Sequence, residues 1–160
     1  MPDFFLREAK SEDFEFYYKL KSEDSAIYWS GFESAPNREN LFKFWEKFVN
    51  LGSLERKILI LTNGFESIGY VQAVFDGSSI GLSMGICENK RGYGFGKHII
   101  GTAMDYFSEY TDFFCYVRED NISSMKSFTS NGFHETSKFY YCFFPLDNKE
   151  YIMKRLEFHR

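Results

Sequence analysis

The spacing of hydrophobic and polar positions changes several times along the chain, and the changes divide it into elements. Phe4 to Arg7 is a short strand. Ser11 to Lys21 opens with Ser11, Glu12 and Asp13, which suit a helix N-terminus, and continues with Phe14, Tyr17, Tyr18 and Leu20 at helical spacing. Ser22 to Asn37 reads as a loop region, although Ala26-Ile27-Tyr28-Trp29 within it is too apolar for a merely solvated loop. Arg38 to Asn50 reads as a second helix, with Leu41, Phe44, Trp45 and Phe48 on one face.

The period then shortens. Lys57 to Thr62 is a buried-strand run closed by Asn63-Gly64, and Ser67 to Phe75 is another, closed by Asp76-Gly77. From Ser79 to Cys87, Ile80, Leu82, Met84 and Ile86 alternate with Ser79, Gly81, Ser83 and Gly85, the pattern of a third strand. A helix from about Gly94 to Tyr110, a strand from Phe113 to Val117 and a helix from Asn121 to Ser130 follow. Phe139 to Phe144 and Glu150 to Leu156 form a closing hairpin. The order β-α-α-β-β-β-α-β-α-β-β predicts a mixed α/β (α+β) fold. No repeat, low-complexity stretch or Gly/Pro/Ser-rich linker divides the chain, so one domain over 1–160 is expected.

Composition narrows the function classes. The 160 residues are 44% hydrophobic and 26% charged, ordinary for a globular protein, but 21% are aromatic. So many rings need a core, a ligand cleft or a subunit interface. The net charge of −4 argues against a nucleic-acid partner. No apolar run approaches the ~18 residues of a membrane helix, and Met1-Pro2-Asp3-Phe4 lacks the layout of a signal peptide, so no membrane association is expected. Cys87, Cys115 and Cys142 are widely spaced, without a CxxC pair, which supports neither a metal site nor a disulfide scaffold. A cytoplasmic protein is the expectation.

The strongest chemical feature is Arg91-Gly92-Tyr93-Gly94-Phe95-Gly96-Lys97, between a strand and a helix. Alternate glycines let backbone N–H groups approach an anion, the helix N-terminus adds partial positive charge, and Arg91 and Lys97 add full charges. This suits a pyrophosphate, although neither the GxxxxGK[ST] nor the GxGxxG spacing is present. A second feature is Asn121 and Ser124, good helix-start residues, ahead of the stop at Asn131-Gly132-Phe133.

In this order the two features resemble the GCN5-related N-acetyltransferase (GNAT) superfamily. The family pattern V-x-P-x-x-[RQ]-G-x-G-x-[GA] is met by Ile86 to Gly96, with Glu88 replacing the proline. The pattern N-x-x-[AS]-x-x-x-Y-x-x-x-G-F is met by Asn121, Ser124, Phe128, Gly132 and Phe133. The resemblance implies a central mixed sheet of about seven strands flanked by about four helices. It implies acetyl-CoA as acetyl donor, with the pyrophosphate on the backbone of Arg91, Gly92, Tyr93, Gly94, Phe95, Gly96 and Lys97. The pantetheine arm would pair with Met84, Gly85 and Ile86, and Asn121, Ser124 and Phe128 would line the same cleft. A backbone N–H near Gly85 or Ile86 would polarise the thioester carbonyl.

The resemblance further implies an N-acetyltransferase acting on a primary amine of a small molecule, an amino sugar or polyamine-like compound. A protein N-terminal acetyltransferase of the ribosomal-protein type and a catalytically silent CoA-binding domain are the alternatives. Phe128 stands where the family places a general-acid Tyr, so Tyr140, Tyr141 or Tyr151 takes over that role or the thiolate leaves unaided. Tyr28, Trp29 and Glu33 are the expected acceptor-side residues. No catalytic base is assigned, no metal is expected, and a homodimer is left open.

Overall fold

A computed structural model describes residues 3–160; Met1 and Pro2, with their share of the leader reading, lie outside the described residues. The strands are β1 (Phe5–Glu8), β2 (Arg56–Thr62), β3 (Ser67–Asp76), β4 (Ser79–Ile86), β5 (Asp112–Arg118), β6 (His134–Phe144) and β7 (Lys149–His159). The helices are α1 (Phe14–Lys21), α2 (Asp24–Trp29), α3 (Arg38–Trp45), α4 (Phe95–Tyr106) and α5 (Ile122–Thr129). The strands form one sheet in the order β1-β2-β3-β4-β5-β7-β6. Every neighbouring pair is antiparallel except β4 and β5.

Three sequence expectations change. The predicted loop Ser22 to Asn37 contains α2, which makes five α-helices rather than about four. Six residues cannot hold a helix by propensity; burial of Ile27 and the packing of Tyr28 and Trp29 against the sheet do so. The helix predicted to Asn50 leaves α-geometry after Trp45 and widens into a π-turn over Glu46–Asn50, closed by Leu51 N–H to the Glu46 carbonyl at 2.8 Å. The helix predicted to Tyr110 stops at Tyr106, because Phe107 leaves helical geometry and its ring packs on Phe75 with that of Tyr110.

Each face of the sheet has its own core. On one face α4 and α5 bring Ile99, Ile100, Ala103 and Phe128 onto Ile80, Leu82, Phe113, Cys115 and Val117. On the other, Phe14, Tyr17, Leu20 and Trp45 pack onto Ile58, Ile60 and Tyr70. The alternation of β4 sorts its residues: Ile80, Leu82 and Ile86 go to the first core, while on the other face Gly85 lies against Tyr70 and Leu20 of the second, Gly81 lies against Phe114 and Ser83 is exposed.

What positions the site is the β4–β5 pair. Only Ser79–Asp112, Ile80–Phe113 and Gly81–Phe114 are paired, although β4 continues to Ile86 and β5 to Arg118. Beyond those pairs the two strands splay. The β4–α4 loop, the start of α5 and the β6–β7 turn converge at the open end, because β7 runs back along β5 with Arg118 opposite Met153.

Candidate functional site

The wall of the splay formed by β4 follows from its ladder with β3. Cys87 N–H donates to the Ile68 carbonyl at 2.8 Å, and the β3–β4 register is continuous through Gly69–Ile86. Backbone groups alternate along a strand, so Ser83 and Gly85 also bond toward β3, while Met84 and Ile86 present theirs to the splay. The Ile86 carbonyl is engaged there by Arg91 Nε at 3.2 Å. Met84 and Ile86 therefore have N–H groups available to a ligand. Gly85 is turned away, and its Cα lies where a Cβ would meet the Tyr70 ring at 2.4 Å. Cys87 also looks the other way: it borders a groove of about 520 Å³ with Leu20, Glu23 and Glu88, and burial followed by the nearby Glu23 charge raises its thiol pKa.

At the end of β4 the chain passes through a 3-10 turn, Glu88–Lys90, and then Arg91 to Gly94. Gly92 and Gly94 have φ of 84° and 83°, left-handed values that favour glycine. Gly94 is the N-cap of α4; it makes no side-chain cap bond, and no acidic residue occupies the first turn. The leading N–H groups of a twelve-residue helix are thus free of side-chain capping, next to exposed Arg91 and Lys97. This arrangement can hold an anion. Gly96 does something else: a Cβ there would lie 2.5 Å from Ser127 Oγ and 3.3 Å from Met84 Cε. It lets α4 approach α5.

The far wall begins at α5. Asn121 Oδ1 accepts from Ser124 N–H at 3.2 Å, which caps the helix and leaves the Asn121 amide nitrogen uncommitted among the described residues. Phe128 is 2% exposed and packs edge-on against Phe133 at 5.1 Å. Its ring is a core ring.

The opposite side is built from side chains. Arg118, the last residue of β5, is 3% exposed. Its guanidinium lies over four rings: Tyr151 at 3.7 Å, Trp29 at 4.3 Å, Phe144 at 4.6 Å and Tyr28 at 4.9 Å. Nε and Nη2 donate to Asp120 at 2.6 and 3.1 Å, and Nη2 also donates to the Tyr28 hydroxyl at 2.9 Å. Desolvation opposes its charge, but the bonds to Asp120 and Tyr28 outweigh it, and the pKa rises. The Tyr28 and Tyr151 hydroxyls both donate to Asp147 Oδ2, each at 2.6 Å. The Tyr151 bond first, then that of Tyr28, holds the Asp147 carboxyl below its usual pKa. The same hydrogen bond raises the Tyr151 phenol well above its ordinary value.

No family profile matches the chain, and no curated protein matches its sequence. Solved structures do match its architecture. The spermidine N-acetyltransferase of Vibrio cholerae, in complex with CoA and spermine, superposes with a TM-score of 0.87 at 17% identity, over 99% of this chain and 96% of that one. The aminoglycoside acetyltransferase AAC(6')-Ib, in complex with ribostamycin and coenzyme A, superposes with a TM-score of 0.77 at 17% identity, over 99% and 94%. Both neighbours belong to the GNAT superfamily. The chain has the GNAT fold.

Within the GNAT fold, the splay and the glycine loop gather the residues expected to hold a cofactor, apart from Gly85 and Phe128, which point elsewhere. Tyr93 is exposed on that loop, and Phe95 in the first turn of α4 packs edge-on against Phe4 at 5.1 Å. Of the three expected acceptor-side residues, Tyr28 and Trp29 meet at Arg118, but Glu33 is exposed in the segment after α2. Sequence reasoning missed Arg118, Asp120 and Asp147. Only the apolar stretch at Ala26 to Trp29 hinted that something packed there. Tyr140 packs on Tyr116 at 5.0 Å and Tyr141 on Phe139 at 5.6 Å, so neither joins the Asp147 cluster.

Proposed function

We propose that the chain is an acetyl-CoA-dependent N-acetyltransferase that acts on a primary amine of a small molecule, an amino sugar or polyamine-like compound. The observation that carries this is the join of two features. A strand edge with free N–H groups at Met84 and Ile86 runs directly into a loop of left-handed glycines at an uncapped helix N-terminus. An extended arm bearing amides suits the first, and a pyrophosphate suits the second; the fit with CoA rests on both. The acetyltransferase neighbours with CoA bound support it.

In this reading acetyl-CoA supplies an activated acyl group on a thiol that leaves with a pKa of ~8.5, so departure as a thiolate needs little acid help. Residues 91–97 bind the phosphates through backbone donors. Ile86 N–H, aimed into the splay, is the donor for the developing oxyanion. The Asn121 amide, with its oxygen fixed by Ser124 N–H, orients the arm from the α5 side. The acceptor enters from the α2 and β6–β7 side and attacks as a neutral amine. The hydrogen bond to Asp147 raises the Tyr151 pKa and disfavours proton donation from that phenol. Phe128 gives no support to a silent domain, since a buried core position says nothing about proton transfer. A cytoplasmic setting and a homodimer belong to this reading.

The test is a melting experiment followed by turnover. CoA at a hundredfold excess over Kd should stabilise the protein by about 2.7 kcal/mol, with much smaller effects from ATP or NAD. Acetyl-CoA with a mixed panel of amines should release free thiol. Equal shifts from all three nucleotides would reduce the loop to a generic phosphate site.

A further inference from the structure

We infer that Arg118 is a positioning residue for the acceptor: from inside the end of β5 it fixes the Tyr28 hydroxyl, and with it the helix α2, across the open end of the splay. This role deepens the acetyltransferase reading and rests on it.

The helix α2 is tied to both strands of the splay. At its start, the carboxylate of the N-cap residue Glu23 accepts from Glu88 N–H at 3.1 and 3.4 Å, just beyond the end of β4. Near its end, the Tyr28 hydroxyl accepts from Arg118 Nη2 at 2.9 Å, at the last residue of β5, and donates to Asp147 Oδ2 in the β6–β7 turn at 2.6 Å. Between these ties only Ile27 is buried. A helix of this length runs about 9 Å, close to the ~9.5 Å between two strands with room for a third between them. It thus bridges the mouth of the gap, and so short a helix has no stability of its own, so the ties decide where it stands.

Arg118 is suited to aiming a neighbour rather than to filling space. Nε and Nη2 reach Asp120 and Tyr28, but Nη1 is buried and donates to nothing among the described residues. An unpartnered donor on a buried cation costs stability, and space-filling alone does not call for it. What a guanidinium supplies is a rigid fork that points at two acceptors at once. Enclosed by four rings and 3% exposed, Arg118 does not itself meet a ligand. It acts through α2, where the half-buried Tyr28 and Trp29 are within an acceptor's reach.

The experiment combines acceptor kinetics at saturating acetyl-CoA, with whichever of spermidine and ribostamycin is turned over, and amide hydrogen exchange of residues 24–31 in the free full-length protein. Tyr28→Phe keeps the ring and removes the hydroxyl that Arg118 and Asp147 share. It should raise KM for the acceptor about tenfold, the scale of one hydrogen bond to a charged group, with kcat within about twofold of wild type and CoA affinity unchanged. Exchange in α2 should accelerate by about tenfold relative to α4. Arg118→Met should do the same, and the double variant should raise KM no further, since one residue acts through the other. A merely structural role gives a different pattern: a smaller folded fraction lowers apparent kcat and leaves KM alone. That pattern, unchanged exchange in α2, or KM effects that multiply in the double variant overturns the positioning role while acetyl transfer itself stands. If Arg118→Met does not fold, Tyr28→Phe decides by itself. No CoA binding and no thiol release with either amine sinks the acetyltransferase reading, and the positioning role with it.

Discussion

The two sides of the splay are made of different materials. The α4–α5 side is backbone: free N–H groups at Met84 and Ile86, left-handed glycines at 92 and 94, an uncapped helix start and a capped one. The α2–hairpin side consists of side chains around Arg118, drawn from segments separated by 90 and 119 residues in the chain. A backbone site tolerates changes at many neighbouring side chains but fails when a glycine is replaced. A side-chain site depends on a few long-range partners, and its failure shows as lost packing before lost binding.

Substitutions can break this contrast. The largest effect is expected at Gly94. Val in its left-handed conformation would be strained and would crowd the loop, so Gly94→Val should lower CoA affinity at least a hundredfold, with the rest of the fold intact by circular dichroism. Unchanged affinity by calorimetry would remove the loop from the site. At Arg118 the loss should be in stability. Arg118→Met withdraws a cation from four rings and leaves Asp120 and Tyr28 without their donor, a cost of at least about 2 kcal/mol in urea unfolding, with CoA affinity within threefold of wild type. A comparable fall in CoA affinity would show that the two sides are coupled.

Gly96 sharpens the comparison from within the backbone side. Gly96→Val drives a side chain into Ser127, so it should cost about 1–3 kcal/mol of stability, and its effect on CoA should track unfolding. An equally stable Gly96→Val protein would mean that α5 yields easily. The smallest effects belong to the remaining hairpin tyrosines. Tyr140→Phe and Tyr141→Phe should alter turnover at most a few-fold, because general-acid help is worth ~10²–10⁴-fold and neither hydroxyl joins the cluster at Asp147. A hundredfold drop in either variant would reinstate proton donation from β6.

The same contrast explains what could be read from the chain. Strand alternation at Ile80 to Ile86 and the glycine spacing at 92, 94 and 96 are local, so the strand, the turn and the helix start were legible, and the order of elements gave the sheet. Locality failed at α2, where six residues become helical only because Ile27, Tyr28 and Trp29 have a surface to pack on. It failed again at Arg118, which follows a strand predicted to end at Val117. A charged residue after an apolar run reads as the strand's exit into solvent, and nothing nearby in sequence announces the four rings that bury it. Asp147 reads as a turn residue for the same reason, since only one of its two phenolic partners, Tyr151, is near in the chain and the other, Tyr28, is 119 positions away. Even Gly96, correctly placed in the loop motif, has a packing duty that only the position of Ser127 reveals.

The abrupt end of the β4–β5 ladder gives the sheet a third edge. An ordinary sheet has two, at its outer strands, and each invites pairing with a passing chain. Here β1 and β6 are the outer ones, and the inner edge opens between Leu82 and Ile86. Helices flank it on both faces, α4 and α5 on one and α1 and α3 on the other. The fold thus keeps a stretch of unpaired strand backbone between its helical layers, set apart from the outer edges where sheets ordinarily recruit another chain.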